Sequence, residues 1–223
     1  MKTMRKITGR KCGTTGWNVL RAVFILSFFH SFIFLTSCSE EDNTVEEFPD
    51  WQNRNEQYFE QQYRAHAVSA IIKKWSIDAA AAAEMTDCIL VDVLEQGSGT
   101  ASPYFNDTVE INYAGRLIPS TSYKSGYEFD KSFRGTYDPA TTAPCKLYNS
   151  TTGSYYLPMP STFVSGFATA LMHMHRGDHW RVTIPYQLGY GANIQGSIPA
   201  YSTLIFDIWL TDFWSEKKGD RSD

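Results

Sequence analysis

Two periodicities divide the chain near residue 88. Upstream, Phe59, Tyr63, Val68, Ile71, Ile72 and Trp75 recur at helical spacing through NRNEQYFEQQYRAHAVSAIIKKW, the apolar stripe of a helix with one face to bury. Asp50, after Pro49, marks a start, and DAAAAAEM (78–85), high in helix propensity, extends or repeats the helix. That face has two candidate partners: the following part of the chain, or a second copy of itself in a homodimer built through residues 50–85. Downstream the period falls to two. Ile89, Val91 and Val93 share one side of ILVDVLE (89–95), and TVEINYAGRL (108–117) sends Val109, Ile111 and Tyr113 one way and Glu110, Asn112 and Ala114 the other. WRVTIP (180–185) reads as a short strand, and TLIFDIWLTDF (203–213) puts Leu204, Phe206, Ile208 and Leu210 on one face. Gly, Pro, Asn and Ser punctuate the intervals, as in an antiparallel sheet. Between these strands GFATALMHM (166–174) is the short helical candidate, with Phe167, Leu171 and Met174 at i, i+4 and i+7. The pattern predicts an α+β class, an antiparallel sheet wrapped on a short helix with a helical segment in front. Residues 133–161 form a long stretch rich in Tyr, Thr, Ser and Pro, a length that inside a compact domain marks a functional or mobile connection.

The first residues read differently. Lys2, Arg5, Lys6, Arg10, Lys11 and Arg21 precede an apolar run, Ala22 to Leu35, with no acidic residue before Glu40. This is the order of a secretory signal, and the 14-residue run (AVFILSFFHSFIFL) is shorter than the about 20 residues needed to span a bilayer. LTSC (35–38) resembles a bacterial lipoprotein lipobox, which implies cleavage before Cys38, a diacylglycerol on its sulfur and a further acyl chain on the new amino terminus. Several acyl chains together anchor stably. Ser39-Glu40-Glu41-Asp42 resembles the acidic tract of surface-exported lipoproteins of the Bacteroides group; the other reading is a solvated linker. The expected location is the cell envelope, lipid-anchored at the outer membrane, facing either the periplasm or the surface. Losing residues 1–37 removes six of 20 basic residues and none of 24 acidic ones, leaving 14 against 24 and a formal charge of −10. Such a balance speaks against nucleic acid, which needs clustered Lys and Arg. Of four cysteines, Cys12 goes with the leader and Cys38 is lipidated; Cys88 and Cys145 remain, their pairing open and their spacing not that of a zinc motif. His173, His175 and His179 lack partners at ligand spacing, so no metal or cofactor is expected.

One short motif, GYEFDKS (126–132), sets Phe129 beside Asp130 just past a Gly-containing bend. Alone it reads as a turn closing onto a strand. Taken in order with TVEINYAGRL, FVSGFATALMHMHRGDHWRVTIPYQLGYG and SIPAYSTLIFDIWL, it resembles the FKBP family of peptidyl-prolyl isomerases over residues 89–213. The resemblance implies a half-wrapped antiparallel sheet around one short helix. It implies a proline-receiving cleft whose catalytic residues are Tyr113, Phe129, Asp130 and Tyr190, with Phe163, Val164, Phe167, Ile198 and Phe206 binding substrate. Within that cleft Phe129 would form a wall and Asp130 the rim, while the Tyr190 hydroxyl and the Val164 N–H would grip peptide carbonyls. Four departures stand out: Phe167 where the family has Trp, Lys131 for Ser, Ser197 for Ile, and Cys145 after Pro144 where an aromatic is usual. The division expected is a signal peptide (1–37), a lipidated acidic tether (38–49), a helical segment (50–87), the isomerase domain (88–215) and a charged tail (216–223). The partners implied are proline-containing polypeptides and the membrane. Two alternatives remain on the sequence: a non-catalytic proline-binding or chaperone module on the same fold, or a surface receptor using Tyr148, Tyr155 and Tyr156 of the 133–161 insertion.

Overall fold

The computed structural model describes residues 45–215, so the signal peptide, Cys38, most of the tether and the charged tail lie outside the described residues. Helix α1 (Trp51–Ala65) leads into strand β1 (Ile71–Lys73), then β2 (Cys88–Glu95), β3 (Thr108–Leu117) and β4 (Glu128–Lys131). A small hairpin, β5 (Leu147–Asn149) and β6 (Ser154–Tyr156), precedes α2 (Ser165–Leu171), β7 (His179–Ile184) and β8 (Leu204–Trp214). Six strands form one antiparallel sheet in the order β1-β2-β7-β8-β3-β4. Its central strands alternate as the pattern requires: Val109, Ile111, Leu117, Val182, Ile184, Leu204, Phe206 and Ile208 are buried. They meet α2, in which Gly166 through Leu171 are all buried. Gly166 is required there, because a Cβ on it would lie 2.3 Å from the Ile184 side chain. The α+β architecture of an antiparallel sheet around a short helix is therefore as the sequence indicates.

Three local expectations fail, each for a tertiary reason. The long helix stops at Ala65 rather than running to Trp75, and Ile71-Ile72-Lys73 instead pairs with Leu90-Ile89-Cys88 as an edge strand. Two adjacent β-branched residues gain more from a sheet edge than from a helix. The expected helix over 78–85 is absent through Glu84, with only a 3-10 turn beginning at Met85: the Lys73 ammonium donates to the carbonyls of Ala79 (2.6 Å) and Ala81 (2.9 Å), and the Asp78 carboxylate accepts from the Ala80 N–H (2.8 Å). Alanine has no side chain with which to outbid that network. Val93 keeps the register of Val91, opposite Trp180, yet is more than half exposed, because it stands at the end of the regular β2–β7 pairing, just before the register shifts toward Glu95.

The segment before residue 88 is thus built into the domain, not set in front of it. Trp51, Asn55 and Phe59 form the buried side of α1 and pack on the same chain. Even the end of the acidic stretch is docked: the Glu47 carboxylate accepts from the Ser120 hydroxyl and from the Ser122 N–H (3.0 Å), and Phe48 meets Trp51 edge to face. On the sheet face away from α2, Asp207 is clasped by Arg181 (2.7 and 3.1 Å) and Arg116 (3.2 Å). Burial pushes the Asp207 carboxyl up, but the two guanidinium groups outweigh it and hold it below its ordinary value.

A group with a depressed folded-state pKa stabilises above its unfolded value, and that stability is lost as pH falls through the folded one. Asp207→Asn should therefore unfold at a lower temperature at pH 7, by on the order of 1–3 kcal/mol for a lost charged hydrogen-bond partner. The gap to the parent should close as pH drops below the carboxyl's ordinary value of 3.8. Thermal melts from pH 7 to pH 2.5 check this; a gap that stays constant across the series would contradict it.

Candidate active site

Strand β4 reaches the site through a bulge. Ala114 pairs with Lys131 and Gly115 with Asp130, but Arg116 pairs with Glu128, so Phe129 is an extra residue with no partner. Tyr113, Gly115 and Leu117 share the inward face of β3. Asp130, opposite Gly115, is therefore directed inward, and the bulge turns Phe129 toward the same side. This is why two adjacent residues, which in a regular strand would point to opposite faces, both border one cavity. Gly115 makes the approach feasible: a Cβ there would lie 2.5 Å from a Phe206 ring carbon and 2.7 Å from the Phe129 ring.

The cavity holds about 360 Å³ and brings together Tyr113, Phe129, Asp130, Phe163, Val164, Phe167, Tyr190, Ile198 and Phe206, all nine residues singled out from the sequence. Its floor is Phe167, 1% exposed. Phe206 stands perpendicular to it at 5.0 Å between ring centres, Phe163 stacks on it at 4.5 Å, and Tyr113 meets it edge-on at 5.9 Å. Edge-to-face contacts of this kind fix ring orientation beyond what burial alone does. Phe129 closes the wall against Phe206 at 5.5 Å.

Polar side chains line the cavity too, Asp130 and Tyr190 among them. The Tyr113 hydroxyl donates to the Asp130 carboxylate at 2.7 Å. Burial, with that carboxylate next to it, holds the Tyr113 phenol well above the usual range, so it stays a proton donor. Burial and then Asp130 also raise the phenol of Tyr190. Among the described residues neither the Tyr190 hydroxyl nor the Val164 N–H has a hydrogen-bond partner, and both border the cavity. The buried Asn112 and the half-buried Ser132 brace the Tyr113–Asp130 pair from behind: Ser132 Oγ donates to Asn112 Oδ1 (2.7 Å), and the Tyr113 N–H donates to Ser132 Oγ (2.9 Å).

Sequence reasoning missed Thr162, Gln195 and Gly196 on the lining. Gln195 and Ile198 close a tight turn by exchanging both backbone bonds (3.0 and 2.9 Å), and Gly196 takes a left-handed φ of 56° inside it. The Gly-Ser pair at 196–197 was the available signal. Cys145, at the position where the resemblance expects an aromatic, is buried, and its N–H donates to the Ile111 carbonyl (2.8 Å). Cys88 and Cys145 are both free thiols. The three histidines go to separate partners: His173 to the Thr169 carbonyl, His175 to Asp178, and His179 flat on Trp209 at 4.1 Å.

The family model for FKBP-type peptidyl-prolyl cis-trans isomerases matches residues 99–211. The chain is 33% identical over 127 residues to the macrophage infectivity potentiator of Trypanosoma cruzi, covering 56% of this chain and 53% of that protein. It is 33% identical over 121 residues to the FKBP-type 22 kDa peptidyl-prolyl cis-trans isomerase of Escherichia coli strain K12, covering 54% and 47%. FK506-binding protein 1A of Neurospora crassa is 31% identical over 136 residues, 60% of this chain and 95% of that one. The chain spans about half the length of the first two relatives. It belongs to the FKBP-type peptidyl-prolyl cis-trans isomerase family.

The Gly115 contact yields a test. Gly115→Ala should destabilise by about 1–3 kcal/mol, the range for overpacking a filled core, because both neighbours are aromatic rings held by their own strands. A melting temperature within a degree of the parent would show that the rings yield freely.

Proposed function

We propose that this family member binds X–Pro segments of polypeptides in the cleft and speeds their cis–trans interconversion. The observation that carries this reading is an aromatic cavity with two unpartnered donors at its edge, the Tyr190 hydroxyl and the Val164 N–H. An X–Pro bond turns over in tens to hundreds of seconds because twisting it breaks amide resonance. Speeding it by about five powers of ten requires about 7 kcal/mol of preference for the twisted state. The planar amide is polar and well hydrated, whereas the twisted one has lost resonance and much of its dipole. A dry aromatic cleft therefore disfavours the first relative to the second. In this reading Tyr113, Phe129, Phe167 and Phe206 supply the apolar walls, with Phe163 and Ile198 holding the proline and its neighbours. Tyr190 and Val164 fix the flanking peptide carbonyls, while Asp130, oriented by the Tyr113 hydroxyl, sets the field at the twisting carbonyl. The chemistry asks for no nucleophile, metal or cofactor.

Isomerisation of a short X–Pro peptide tests it. Tyr190→Phe should lose about 3- to 10-fold in kcat/KM, the worth of one hydrogen bond. Asp130→Ala should lose at least as much, since it also frees the Tyr113 hydroxyl. A folded parent that binds the peptide without accelerating it would leave the proline-binding or chaperone module as the better account.

The place of action is a separate part of the proposal. The lipobox-like LTSC supports lipidation of Cys38 and an envelope-bound enzyme, with the outer membrane as the favoured site and exported polypeptides as clients. Cells fed labelled palmitate should incorporate it into the parent chain but not into Cys38→Ser, which should leave the membrane fraction. Equal labelling of the two would end this part of the reading and leave the cleft chemistry untouched.

A further inference from the structure

Two of the cleft residues, Tyr190 and Ile198, stand on a stretch with little regular structure, a single 3-10 turn at Tyr186–Leu188 followed by loop up to Leu204. A loop without a ladder to hold it needs other anchors if its side chains are to keep one geometry. Some are internal: the Gly191 N–H donates to the Tyr186 carbonyl and the Tyr201 N–H to the Gly191 carbonyl, both at 2.8 Å. Tyr201 holds a left-handed φ of 61°, a conformation that a side chain bearing a Cβ keeps only when its surroundings enforce it.

Further contacts come from α1, which precedes the family's matched residues. Trp51 Nε1 donates to Ser202 Oγ at 2.8 Å, and Ser202 Oγ donates in turn to the Pro199 carbonyl at 2.7 Å, one residue from Ile198. Asn55 is fully buried; its Oδ1 accepts from the Thr203 N–H at 2.7 Å while its Nδ2 donates back to the Trp51 carbonyl at 2.7 Å. At the other end of the stretch the Tyr186 hydroxyl donates to Glu56 at 3.2 Å. One helix therefore grips the cleft loop at both ends, through Trp51, Asn55 and Glu56.

We infer that Trp51 and Asn55 are positioning residues for the cleft, holding Tyr190 and Ile198 in place through Ser202 and Thr203. α1 acts on substrate without touching it. Its effect on turnover rests on the isomerase reading above; its hold on the loop does not.

The experiment uses the full-length chain with Trp51→Phe, which keeps an aromatic ring and loses the donor, and Ser202→Ala, which removes both bonds of the relay. Val109→Ala, a buried β3 position outside the cleft lining, serves as the destabilised control. Amide hydrogen exchange should quicken about tenfold at Ile198, Tyr201 and Thr203 in both relay variants, while the β3 and β8 amides stay as in the parent. With an X–Pro peptide, kcat/KM should fall about 3- to 10-fold, mainly through KM, because the loop residues grip the flanks in ground and transition states alike. Exchange at those three amides no faster than in Val109→Ala at matched melting temperature would overturn the inference. A parent chain with no isomerisation would defeat the isomerase reading, and the exchange result would still decide whether α1 positions the loop.

Discussion

The close approach of Phe129 and Phe206 over Gly115 sets the geometry on which the rest of the site depends. A sheet with strict two-residue alternation can offer a concave face only one side chain in two from each strand. The extra residue in β4 breaks that rule where it is needed, so that an aromatic wall and an acidic rim come from neighbouring positions. The glycine opposite leaves room for both rings, and the wall in turn orients Phe206 against Phe167. Remove the bulge and Asp130 or Phe129, not both, would face the cavity.

The two faces of the sheet solve opposite problems. The inner face is apolar and closed by α2, leaving the cleft as the part of the core not filled by the chain itself. The outer face carries a charged row, Asp92, Arg181 and Asp207, whose register pairs run directly across three strands. Asp207, the least exposed of the three, is paired with both Arg181 and Arg116. α1 lies near this row, and burial followed by the fields of Arg116 and Arg181 acts on its Tyr58. The Arg116–Asp207–Arg181 cluster thus sits on the face of the sheet opposite the aromatic cleft.

Much of this was legible from residue patterns. β3, β7 and β8 fall within a residue of their expected spans, and α2 holds Phe167 and Leu171 as its spacing required. What escaped notice depended on contacts distant in sequence. Ile71 and Ile72 fit a helical stripe equally well until β2 offers them an edge, and five alanines read as helix until Lys73 takes their carbonyls. The bulge at Phe129 is a property of pairing with β3, so no local pattern contains it. Of the cleft lining, the aromatic residues were visible because their order along the chain is characteristic, while Thr162 and Gln195 were not because polar loop residues carry no such order.

The two thiols among the described residues give the fold a reporter of its own opening. Cys88 sits in β2 and Cys145 beside the first half of β3, and burial pushes both thiols up, so neither offers a thiolate to reagent in the closed state. Their locations, one toward the β1 edge and one behind Tyr113 and Asp130, make them independent clocks. The rate at which an alkylating agent reaches each would read how often the sheet edge breathes and, separately, how often the cleft comes apart from behind.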